Sequence, residues 1–231
     1  AAKWTLGILS PGEWKAKWIG RDGTHTSNVL SGTSWIWFPE GEPAKAAPVE
    51  TIYFRRVVTI PAGRKISRAI FQYTGDNEAR GWINDSDIGV GNNFKTVKWN
   101  DVTSWLESGK TYVFGLAGRN EGTNDNPAGV IGSLTLEFTS GEPLILQTDA
   151  SWKASKNVAK DWNTLSYDDS KWVAAKVLGP AGMEPWRETR VPEDRRLPGR
   201  WLRKEFAIEK KVQRATVYFS GLGLSEFYVN G

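Results

Sequence analysis

The sequence predicts an all-β protein, an antiparallel β-sandwich followed by part of a second one. Short runs rich in β-branched and aromatic residues are separated by turn signals, only one stretch carries helix punctuation, and one block of the pattern occurs twice. Thr51–Ile60 is the first clear strand, and it stops at Pro61-Ala62-Gly63, a turn sequence. Strands are expected near 51–60, 68–74, 80–84, 111–118 and 130–138, and in the last two apolar and polar residues alternate as in a half-buried strand. Trp35-Ile36-Trp37 also alternates, so at least one of these tryptophans is expected to face outward, against packing rather than sugar. Asn100–Ser108 reads as a short helix, capped by Asn100 or Asp101 and ended by Gly109.

The repeat is the most informative feature. Phe54–Ile60 matches Leu202–Ile208, Arg68–Gly75 matches Arg214–Gly221, and Trp82-Ile83-Asn84 matches Tyr228-Val229-Asn230. The residues from Arg200 are therefore expected to form strands like the earlier ones and to continue beyond Gly231, since a half sandwich leaves an apolar face uncovered. The expected organisation is a leading segment (1–19), a first sandwich (20–190), a linker (191–199) and an incomplete second sandwich (200–231). Pro180–Pro198 is rich in Pro, Gly and charge, as linking chain often is.

Composition narrows the chemistry. There are no cysteines and one histidine, His25, which removes thiolate metal sites, cysteine nucleophiles and histidine-based zinc sites. The net charge is +4, but the basic residues are scattered and no nucleic-acid motif is present, so nucleic acid is not expected as a partner. No apolar run reaches the length of a membrane span, and Ala1–Trp4 does not resemble a leader peptide, so any leader is expected to have been removed already. The 13 tryptophans are unusual, and most are expected in the core, among them Trp37, Trp82, Trp99, Trp105 and Trp201.

The two copies differ where chemistry could sit. After the second strand, copy one has Gly75-Asp76-Asn77-Glu78, whereas copy two has Gly221-Leu222-Gly223-Leu224. An Asx turn would account for the first loop alone. A second polar loop, Gly118–Gly129, contains Asn120, Asn124, Asp125, Asn126 and Pro127. Hairpin loops gather at the ends of a sandwich, so the two loops are placed to meet. Together they offer carboxylate, amide and carbonyl oxygens, a donor set suited to calcium; the spacing is not that of an EF-hand.

Trp14–Ile19 (Trp-x-Ala-x-Trp-Ile), Gly75-Asp76-Asn77 with Trp82-Ile83-Asn84, and the Asn120…Asn126-Pro127-Ala128-Gly129 loop resemble the sugar-binding domains of α-L-rhamnosidases. So do Asp149–Trp152 and Asp168–Trp172, and Ser220–Gly231 resembles the opening of the next sandwich in those enzymes. The resemblance is to the L-rhamnose-binding carbohydrate-binding modules of family 67, found in family 78 glycoside hydrolases. It implies a galactose-binding-like jelly roll and calcium (Ca2+) held by Asp76, Asn77, Asn120 and the Pro127 carbonyl. Asn124 or Asn126 could replace Asn120, and Asp76, Asn77, Asn124 and Asn126 would meet the sugar. The implied partners are rhamnose-containing glycans or glycosides and the remaining domains of a parent enzyme, outside the cell or in the periplasm. No catalytic residue is expected here: Asp168 and Asp169 can be nominated as a carboxylate pair, but they read as a structural turn, and in the resembled enzymes the acids lie on a helical barrel.

Overall fold

The structure, a computed structural model, describes residues 8, 10–17, 19, 30–191, 201–221 and 225–230. The chain divides into two compact units, Thr24–Arg196 and a second made of Ala1–Gly23 with Leu197–Gly231.

The larger unit is a sandwich of two antiparallel sheets. Its strands are β1 (Ser34–Trp37), β2 (Thr51–Thr59), β3 (Ile66–Asp76), β4 (Glu78–Ile83), β5 (Ser86–Gly91), β6 (Lys98–Asp101), β7 (Thr111–Arg119), β8 (Gly129–Phe138), β9 (Leu144–Gln147), β10 (Lys153–Ser155), β11 (Val173–Ala174) and β12 (Lys176–Pro180). One sheet runs β12-β1-β8-β3-β6 with β9 also on β8, and the other runs β11-β10-β2-β7-β4-β5. The five strands expected from the sequence are all present as β2, β3, β4, β7 and β8. Between the sheets lie Phe54, Phe71, Tyr73, Phe114, Leu116, Leu134 and Leu136. Phe71 of β3 meets Phe114 of β7 edge to face at 5.6 Å, joining the two sheets. Gly81 allows β4 to pass close to β3: a Cβ there would run into the Tyr73 ring, whose hydroxyl donates to the Gly89 carbonyl at 2.7 Å.

The segment from 156 to 172 is folded onto the β2–β7–β4 sheet. Trp162 packs edge-on against Tyr53 and Trp82 and lies parallel to Trp172. The buried Arg55 guanidinium donates from Nε to the Trp162 carbonyl at 3.0 Å and from Nη2 to the Thr164 carbonyl at 2.7 Å. Its Nη1 pairs with Asp169, whose other oxygen is 2.6 Å from Lys153 Nζ. Asp169 is therefore a tether. The exposed Asp168 accepts the Ser170 N–H at 3.0 Å, as a turn residue does.

Several expectations are corrected. Trp35 and Trp37 are both buried, because the register shifts between Trp35 and Ile36. That bulge turns Trp35 toward a separate cluster with Trp186, while Ile36 and Trp37 face the main core. Trp105 and Trp201 are not core residues, being 43% and 89% exposed. The helix expected over 100–108 is a strand end followed by a single 3-10 turn, Thr103–Trp105. Asp101 Oδ1 accepts both the N–H and the hydroxyl of Thr103, at 3.0 and 2.6 Å, and this local bonding competes with a helix.

Residues 180–191 are not linker. Trp186 is 1% exposed, Ala181 N donates to Thr33 O at 2.9 Å, and Val97 N donates to Arg190 O at 2.8 Å. The tryptophan outweighs the loop-like composition, since burying it removes a large apolar surface from water. In the smaller unit, Pro11–Glu13 forms a 3-10 turn. The strands expected after Arg200 are absent among the described residues: 201–221 and 225–230 have no ladder partner, and Phe206, Ile208 and Val217 are exposed. A strand needs a neighbour to take its amides and carbonyls, and apolar side chains do not supply one. Leu222 to Leu224 of the repeat comparison lie outside the described residues. Among the described residues no helix is long and apolar enough to cross a membrane.

Candidate functional site

The site is built where the ladders end. The last rung of β3 with β8 is Asp76–Gly129, and Glu78 of β4 stands opposite Arg119 of β7. Asn77 is thus the single residue by which the chain crosses from one sheet to the other. Its N–H donates to the Arg119 carbonyl at 2.9 Å, and its Oδ1 accepts the Glu121 N–H at 2.7 Å. The two polar loops singled out in the sequence do meet. The Asp76–Asn77 peptide is cis.

Asp76 is held by a residue that sequence reading missed. Its Oδ2 accepts the Trp186 indole N–H at 2.8 Å. Trp186 stacks on Trp35 with ring centroids 4.2 Å apart. Gly129 makes room for this pair, since a Cβ would come within 2.9 Å of the Trp35 ring and 3.0 Å of Trp186. Burial pushes the Asp76 carboxyl above its ordinary pKa, and the opposing influence is the neutral Trp186 donor. This is a partly desolvated carboxylate whose charge a cation would stabilise.

Asn120, one residue past the end of β7, is 1% exposed. Its Nδ2 donates to the carbonyls of Ala47 and Pro48, both at 3.0 Å. Its Oδ1 is buried with no hydrogen-bond partner. Such an oxygen is costly to leave unpaired. Pro127 lies half-buried two residues before the Asp76–Gly129 rung. Asn126 knits its own loop: its Nδ2 donates to the carbonyls of Glu121 and Asn124 at 3.0 Å, and its backbone pairs with Ala47. Asn124 is exposed and reaches Thr123 at 3.4 Å.

Beside these residues lies an open cleft of about 390 Å³, walled by Asp76, Asn77, Glu78 and Glu121 and by Asn92, Asn93 and Phe94 from the loop after β5. Of the residues singled out in the sequence, Asp76 and Asn77 line it, whereas Asn120, Asn124, Asn126 and Pro127 do not. Glu121 is paired with Arg119 at 2.8 Å. The 92–94 loop was not foreseen. Its signal was Gly91-Asn92-Asn93 directly after a hairpin strand, which must return to the end from which β4 started. Thr74 Oγ1 donates to the Asn93 carbonyl at 2.8 Å and fixes the loop.

The residues fit a hard cation. Asp76 leaves one oxygen uncommitted by hydrogen bonding to Trp186, and Asn120 Oδ1 is an unpaired amide oxygen of the kind calcium takes. Among the described residues no three His, Cys, Asp or Glu gather as a metal-binding group, so a cation here would depend on amide and carbonyl oxygens beside Asp76. Trp186→Phe should keep a ring over Trp35 but lose the donor to Asp76. The expected cost is about 1–3 kcal/mol in urea unfolding.

No family model matches the chain. It is 35% identical to an α-L-rhamnosidase of Streptomyces avermitilis over 237 aligned positions, covering 99% of the chain and 22% of that enzyme. A crystal structure of Streptomyces avermitilis α-L-rhamnosidase complexed with L-rhamnose matches with a TM-score of 0.69 and 33% identity, covering 78% of this chain and 18% of the other. A lectin from Pleurotus ostreatus in complex with GalNAc matches with a TM-score of 0.63 and 26% identity, covering 72% and 49%. By fold, the chain is a β-sandwich of the kind shared by that lectin and by α-L-rhamnosidases. It is homologous to α-L-rhamnosidase, of which it spans about a fifth.

Proposed function

We propose that the chain is a non-catalytic carbohydrate-binding module that holds terminal L-rhamnose through calcium at the Asp76 end of the sandwich. The observation that carries this reading is the half-desolvated Asp76 carboxylate at the crossover, with the neighbouring Asn77 tied to the start of the second polar loop and a buried, unpartnered Asn120 Oδ1 one residue past β7. Asp76, Asn77, Asn120 and the Pro127 carbonyl would hold the ion. When bound, calcium supplies coordination positions at which neighbouring sugar hydroxyls replace water. Trp186 orients the Asp76 carboxylate, and the Asn77–Glu121 hydrogen bond holds the crossover against the longer loop. The relative crystallised with L-rhamnose and the GalNAc-bound lectin support a sugar as the ligand class. A parent α-L-rhamnosidase, working outside the cell or in the periplasm, would supply the catalytic acids.

Calorimetric titration of L-rhamnose in calcium and again in excess chelator tests the reading. Heat of binding is expected only with calcium. Calcium should also raise the melting temperature, because it binds the folded state. A calcium-dependent rise in melting temperature without sugar binding would make the chain a metal-stiffened spacer. Release of rhamnose from a glycoside by this chain alone would make it an enzyme.

A further inference from the structure

We propose that Phe94 is a specificity-determining residue: it selects sugars that carry a methyl group where an ordinary hexose carries a hydroxymethyl. The inference rests on the sugar-binding reading above and adds to it a means of telling one sugar from another. Among the described residues that wall the cleft, Phe94 alone is apolar, and every other is Asp, Asn or Glu. A ligand matched to this surface presents oxygens to most of it and a single apolar substituent to one place. A 6-deoxyhexose has that distribution, with hydroxyls along one edge of the ring and a methyl at C5.

Phe94 is a firm platform. It is half-buried and packs against the cluster of Leu30, Trp35, Val97, Ile131 and Trp186. Its carbonyl accepts the Thr189 hydroxyl at 2.8 Å, and the preceding Asn93 carbonyl is bound by Thr74 Oγ1 at 2.8 Å and by Thr96 N at 2.9 Å. The exposed Lys95 ammonium stands 5.7 Å from the ring centroid. The cluster that supports Phe94 also contains Trp186, which holds Asp76. The apolar platform and the carboxylate therefore share one rigid support. A hydroxymethyl group against Phe94 would lose water without gaining a hydrogen bond there.

The test compares methyl α-L-rhamnoside with methyl α-L-mannoside, which differ only at this substituent, by competition titration in calcium. Wild type is expected to prefer the rhamnoside by about 10-fold, the discrimination an apolar contact supplies against an added hydroxyl. Phe94→Ala should weaken rhamnoside binding about 10-fold and leave the mannoside nearly unchanged, bringing the ratio close to one. Saturation-transfer NMR on the wild type needs no variant, and the rhamnoside methyl should receive the strongest transfer. An undiminished preference in Phe94→Ala, or weak transfer to the methyl, overturns the assignment while leaving the sugar-binding reading standing. Wild type that binds neither glycoside in calcium overturns both.

Discussion

Asp76→Asn is expected to abolish measurable L-rhamnose binding while the sandwich stays folded. Asp76 is the proposed charged ligand among neutral oxygens, and its loss removes the largest electrostatic attraction for a divalent ion. The choice of Asn over Ala follows from Trp186. Asp76→Ala would leave the indole N–H of a buried residue without its acceptor, at a cost of about 1–3 kcal/mol. An amide oxygen can keep that hydrogen bond while removing the charge. Chelation of the wild type should reproduce the variant, and added calcium should restore binding in the wild type only. Titration of both proteins, with unfolding measured in calcium-free buffer, separates loss of the ligand from loss of the fold.

The largest stability effect is expected at Arg55. Its guanidinium is buried and joins Asp169 and the carbonyls of Trp162 and Thr164 to β2. Arg55→Ala leaves Asp169 with Lys153 as its remaining cation and removes one donor each from the Trp162 and Thr164 carbonyls. Breaking such a pair costs about 3–5 kcal/mol. Urea unfolding should show that loss, and amide hydrogen exchange across residues 156–172 should report release of the segment from the sheet. Asp168→Ala, next in the chain but exposed, should be close to neutral. This contrast is expected if the two aspartates form a structural turn rather than a catalytic pair.

The central strands were legible in the sequence because β2, β7 and β8 are runs of nine or ten residues rich in β-branched, aromatic and other apolar side chains, although β7 and much of β8 are buried almost continuously and do not alternate. β10 and β11, at three and two residues, are too short to show a period. The Trp35–Trp37 segment misled for a different reason: a bulge breaks the alternation that the reading assumed. Residues 180–191 misled because their Pro, Gly and charge describe a loop, while long-range contacts, Trp186 with Trp35 and Asp76, Ala181 with Thr33 and Arg190 with Val97, fix them to the sandwich. The repeat after Arg200 shows that a strand-like sequence is not enough where no partner strand accepts its hydrogen bonds.

The meeting of the two Asp/Asn loops was legible because the connections of a sandwich gather at its two ends, although both loops cross between the sheets and neither closes a hairpin. What they meet around was not. Trp186 lies 110 residues from the carboxylate it holds, and the turn signal of Gly91-Asn92-Asn93 places that loop at the right end without marking Phe94 as cleft wall. Asn120 was chosen by resemblance; its Oδ1 is buried and unpaired, and the residue stands outside the cleft wall. Asn126, chosen from the same loop, spends its amide donor on the Glu121 and Asn124 carbonyls.

Crystals grown with calcium and L-rhamnose give the most direct test. The account predicts a peak at the Asp76–Asn77 crossover with oxygen ligands about 2.3–2.6 Å away, Asn120 Oδ1 among them, and two sugar hydroxyls in the same shell. Rhamnose bound elsewhere on the chain, or in this cleft with no cation between it and Asp76, would contradict it.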